Sequence, residues 1–158
     1  MTDNGSPAQQ AGPASTPELD LEKIMPERLT ATVTLRGVAY TVTELRFADE
    51  QAIDRQIPEP RPADEDAPAT VRQKIHNQEV LCKERRIALI AFAAAGFRHA
   101  GQAWTRDRDA AWCLAAINAL GEHFASAEIL RLFFAAKSLA EQADDPASAI
   151  GSETESGN

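Results

Sequence analysis

Residues 29–43 alternate with period two on either side of a single Arg-Gly pair, and that pattern leaves the segment few shapes to adopt. Leu29, Ala31, Val33 and Leu35 alternate with Thr30, Thr32 and Thr34. After Arg36-Gly37, Val38, Tyr40 and Val42 alternate with Ala39, Thr41 and Thr43. A two-residue turn pairs Leu35 with Val38, Val33 with Tyr40 and Ala31 with Val42, all on one face. The other face is mostly Thr and suits water. Such a turn asks Arg36 for a positive φ; a type I turn with a Gly bulge is the alternative. A lone hairpin is marginal in water. Its apolar face must therefore dock on helices or on another copy.

Beyond the hairpin the periodicity changes. Phe47, Ala52 and Ile53 fit one face of a short helix capped near Ala48. Residues 58–68, PEPRPADEDAP, form an acidic linker with four prolines, which cannot continue a helix. From Ala69, Val71, Ile75, Gln78, Cys82, Arg85, Leu89 and Phe92 recur at steps of four and three. This helix is basic in its first half and apolar nearly all round in its second, so the second half is expected to be buried on several sides. Gly96 or Gly101 ends it.

Thr105 is the expected cap of the next helix, with Trp112, Cys113, Ala116, Ile117 and Leu120 inside and Gly121 as its C-cap. Ser126 is the expected cap of the last, lined by Ile129, Leu132, Phe133, Ala136, Leu139 and Ala140 and widened by Leu130 and Phe134. Trp112 reads as core. Trp104, just before a cap, reads as a hydrophobic staple or an interface anchor. Residues 1–20 and 144–158 lack apolar periodicity and are expected to be disordered. A single α+β domain over 21–143 is expected, predominantly helical, its hairpin packed on three or four helices.

Composition narrows the function classes. The net charge is −8, against the basic face that nucleic acid requires. Aromatics are only 6% while hydrophobic residues are 44%, an Ala-rich balance that favours close helix packing. No apolar run reaches the about 20 residues of a bilayer crossing, and the N-terminus lacks the charged and apolar regions of a signal peptide. The chain therefore reads as cytoplasmic. Cys82 and Cys113 stand apart and read as buried thiols. His76, His99 and His123 have no partner at metal-ligand spacing, so no metal or cofactor is expected. No nucleophile motif or phosphate loop occurs. The carboxylates crowd into the linker and tail, where water keeps them from acid–base work. Lys83, Arg85 and Arg86 could meet an acidic partner, or the chain's own acidic linker could neutralise them.

The order of the parts resembles the tail assembly chaperones of long-tailed bacteriophages and prophages. The likeness spans residues 18–143. It lies in LDLEKIMPERLTATVTLRGVAYTVTELRF, in the Ala-rich IALIAFAAAGFRHAG, in WTRDRDAAW opening a helix that ends in INAL, and in SAEILRLFFAAKSLAEQ. The Pro-rich insert at 58–68 is longer than the family's pattern. The resemblance implies a non-enzymatic assembly factor that binds the tape measure protein and recruits tail tube subunits. It also implies work in the host cell cytoplasm and absence from the mature virion. Candidate client contacts are Phe92, Trp104, Leu130, Phe133 and Phe134, read through helical anchor spacing. Self-association is compatible with the unpaired hairpin. A small acidic adaptor or secretion-type chaperone is the alternative class.

Overall fold

A computed structural model describes residues 20–24 and 26–144. The expected disordered ends, apart from their innermost residues, lie outside that range. The fold is α+β and mainly helical: strands β1 (Thr30–Leu35) and β2 (Val38–Thr43), helices α1 (Phe47–Gln56) and α2 (Ala69–Ala94), strands β3 (Arg98–His99) and β4 (Gln102–Ala103), then helices α3 (Ala110–His123) and α4 (Ser126–Asp144).

The β1–β2 hairpin has the expected register, from Leu35 opposite Val38 to Ala31 opposite Val42. Arg36 and Gly37 both take positive φ, 52° and 82°, so the turn is type I′ and not the bulged alternative. Holding Arg in that region costs about 1–2 kcal/mol. Its Nε donates to Glu128 Oε2 at 2.8 Å, which ties the turn to the start of α4. Leu35 and Val42 are buried beneath the sheet, with Ala31, Val33 and Tyr40 packed around them.

The hairpin lies on α4, and α4 lies along α2, which also carries α3 and α1. Leu89, Phe92, Cys113, Ala116, Leu132 and Ala136 meet at the centre of this bundle. As expected, α2 is buried on several sides in its second half. Its first half is not. Val71 and Val80 are 43% and 42% exposed, so these apolar side chains stay partly in water. The helix ends in a Schellman arrangement: the Phe97 amide donates to Phe92 O and the Gly96 amide to Ala93 O, both at 3.2 Å. Gly96 takes the left-handed φ of 70° that this ending needs.

Several local expectations are corrected. Asp109, not Thr105, caps α3, accepting from the Trp112 amide at 2.8 Å. Between them β3 and β4 form a second small hairpin around Ala100 and Gly101, at φ 52° and 76°. Gly121 is no C-cap; α3 runs through it to His123. Ala125, not Ser126, stands at the N-cap of α4, and Glu128 reaches back to accept its amide at 2.8 Å. That bond, then the Arg36 guanidinium, hold the Glu128 carboxyl below its ordinary pKa. Phe47 does not share the inner face with Ala52 and Ile53; it is 77% exposed.

Candidate interaction groove

Two apolar hollows and one polar junction stand out. The polar junction is structural. Asp49 on α1 is buried, which alone would raise its pKa. A hydrogen bond from Arg106 Nε at 2.7 Å, the Arg46 amide at 2.8 Å and the nearby charges of Arg106 and Arg28 outweigh that, and the net shift is downward. Arg28 Nη1 stands 3.2 Å from the same carboxylate. Two turns further along α1, Gln56 Nε2 donates to the carbonyls of Thr105, Arg106 and Arg108 at 3.1, 3.3 and 3.0 Å. Its Oε1 accepts from Trp104 Nε1 at 2.8 Å. Asp49 and Gln56 thus clamp residues 104–108 onto α1. Glu44 is also buried and accepts from the Leu29 amide at 2.7 Å. Carboxylates therefore do leave the linker for the interior, contrary to the expectation, but those of Asp49 and Glu44 are committed to holding backbone and arginines.

The remaining titratable groups are scattered. Burial, with Asp109 adding to it, pushes the Cys113 thiol up to about 11, away from nucleophilic range. Cys82 is buried against the carbonyls of Ile57 and Pro58. His123 contacts Ala119 O at 2.8 Å, and His99 meets the Trp112 ring edge-on at 6.0 Å. Among the described residues no three His, Cys, Asp or Glu side chains group as metal ligands, and no helix is long and apolar enough to cross a membrane. Arg86 is taken up by its own chain: Nε donates to Ile57 O at 3.0 Å and Nη1 to Glu59 at 3.2 Å. Lys83 and Arg85 make no ion pair among the described residues.

The first hollow, about 430 Å³, lies between the hairpin and the end of α3. Its aromatic residues satisfy one another: Tyr40 meets Phe97 and Phe124 edge-on at 5.6 and 5.7 Å, and Phe97 stacks on Phe124 at 5.4 Å. The second, about 460 Å³, is a groove where α2, α3 and α4 meet. Leu81 and Ile87 come from α2, Ile117 and Gly121 from α3, Ile129 and Leu130 from α4, with Glu84 and Arg85 at the rim. Here the apolar side chains are left partly in water: Leu81 is 42% exposed and Leu130 is 37% exposed. Nothing stands within 4 Å of where a Gly121 Cβ would be, so the floor has room to spare.

The five candidate contacts do not form one surface. Leu130 lines the groove. Phe134 is 59% exposed but lies on another side, beside β1. Phe133 is half-buried against the core and meets Phe134 edge-on at 5.3 Å. Trp104 is half-buried and anchored to Gln56. Phe92 is a core residue, 2% exposed, and has no surface to offer another chain. Leu81 and Ile87 widen the apolar stripe of α2 and Ile117 counts toward the inner face of α3, but periodicity within each helix does not show that these residues meet in one groove.

The chain matches no protein-family model, no curated protein and no solved structure.

Proposed function

We propose that the protein is a non-enzymatic assembly chaperone of a long-tailed phage or prophage, binding apolar helices of a tape measure protein and helping recruit tail tube subunits. The observation that carries the reading is the α2–α3–α4 groove, where Leu81 and Leu130 stay partly exposed over an apolar floor. A chaperone for aggregation-prone helices needs such a surface, and an amphipathic helix would fill it with anchors at i, i+3, i+4 and i+7. The net charge of −8 supports solubility while apolar surface is on display. In this reading the tube subunit uses a surface other than the groove. The work is done in the host cytoplasm, before the virion matures.

Co-expression of the chain with a long helical tape measure protein tests the proposal. The expected outcome is that more of the partner stays soluble and that the two co-elute. A partner that aggregates equally with and without the chain, across several lengths, would overturn it in favour of an adaptor with another client.

A further inference from the structure

Neither edge of the two-stranded hairpin meets a third strand among the described residues, and the β1 edge is the one with a groove alongside it. Glu44 donates its amide to Leu29 O, so Leu29 and Glu44 are a hydrogen-bonded pair. Alternation along an antiparallel ladder then makes Ala31–Val42, Val33–Tyr40 and Leu35–Val38 the bonded pairs. The amides and carbonyls of Thr30, Thr32 and Thr34 therefore point away from β2, and no third strand meets them among the described residues. Edge strands are normally guarded by Lys, Pro, bulges or cover. β1 reads TATVTL, with no charge and no proline, and its pairing with β2 has no bulge. Alongside it runs an open groove of about 510 Å³ lined by Thr32, Thr34, Arg131, Phe134 and Ser138.

We propose that two copies of the chain join through their β1 edges, making one four-stranded antiparallel sheet about a two-fold axis at Thr32. The edge is self-complementary: Thr30 of each copy faces Thr34 of the other, and the neutral strands bring no repulsion although each chain is acidic. Two strands become four, which gives the outward amides and carbonyls of both β1 strands partners. The helices beneath agree in charge. Arg131, Phe134, Ser138 and Glu141 form one row on α4 at steps of three and four. The β1 turn sits at the start of α4, through Arg36 and Glu128, and Leu29 lies near Ala140, so Thr32 stands over the middle of α4. A two-fold there sets the α4 helices antiparallel. Arg131 of each copy then comes alongside the other's C-terminal half, where Glu141 stands, and both Phe134 rings leave water. This inference does not rest on the proposed client.

Sedimentation velocity on the full chain alone, from micromolar to sub-millimolar concentration, tests it. The wild type is expected to pass from monomer to dimer and no further. Thr32→Pro removes an outward amide while sparing the ladder to β2, and should weaken the dimer at least about tenfold. Arg131→Glu should weaken it several-fold, and Arg131→Glu with Glu141→Arg should restore it. A wild type that stays monomeric, or forms trimers or larger species, overturns the proposal. So does a Thr32→Pro variant with unchanged circular dichroism that dimerises as tightly as wild type. Where Thr32→Pro fails to fold, the charge pair decides: a double variant no tighter than the single one overturns the proposal.

Discussion

Gln56 makes four hydrogen bonds with one side chain, and no feature of FADEQAIDRQ marks it out. Its three acceptors, the carbonyls of Thr105, Arg106 and Arg108, belong to a loop about 50 positions away, and local pattern carries no trace of them. Gln56→Glu keeps the shape and the bond from Trp104 but turns a donor into an acceptor facing three carbonyls. It should destabilise the fold by about 1–3 kcal/mol, read from denaturant midpoints. Protonating the new carboxyl at low pH should recover part of that loss. Asp49 gives the opposite pH behaviour. Its folded pKa lies below the ordinary carboxylate value, so its contribution is present above about pH 4 and is lost as pH falls through the folded value. Asp49→Asn should lower stability at neutral pH and flatten the decline that sets in as pH falls below about 4, as urea titrations at stepped pH would show. Equal slopes for the two proteins would contradict this role.

At the scale of elements, the hairpin and α2 were legible because their signals are local and repeated. Register followed from alternation plus turn length, and the type I′ turn resolved the one ambiguity the residues left. The helix ends were less legible. Thr105 and Ser126 are good caps by residue type, yet Asp109 and Ala125 occupy the cap positions. Thr105 is drawn away because its carbonyl serves Gln56 and because the short β3–β4 hairpin sets where the chain emerges. Gly121 looked like a helix end and is a helix interior. With a helical backbone and open space at its Cβ, Gly121→Ala should stabilise the protein by about 0.5–1 kcal/mol, raising the denaturant midpoint without changing the slope. A loss of stability would mean that the groove floor is tighter than described.

For the whole molecule, the hairpin on α4 and the α2-centred bundle make one core, and apolar surface is left over in separate places. Of the candidate contacts, only Leu130 falls in the α2–α3–α4 groove; periodicity identifies a helix's core face but not where two flanks will meet. The groove should bind helices without help from the β1 edge. Phe134→Asp is therefore expected to leave client binding within about twofold, whereas Leu130→Glu places a charge among apolar walls. The most direct test of the chaperone reading is a calorimetric titration of a soluble helical tape measure segment into wild type and into Leu130→Glu. The account predicts saturable binding by the wild type with a negative heat-capacity change, weakened at least about tenfold by Leu130→Glu. No binding by the folded wild type, or equal binding by both proteins, would contradict it.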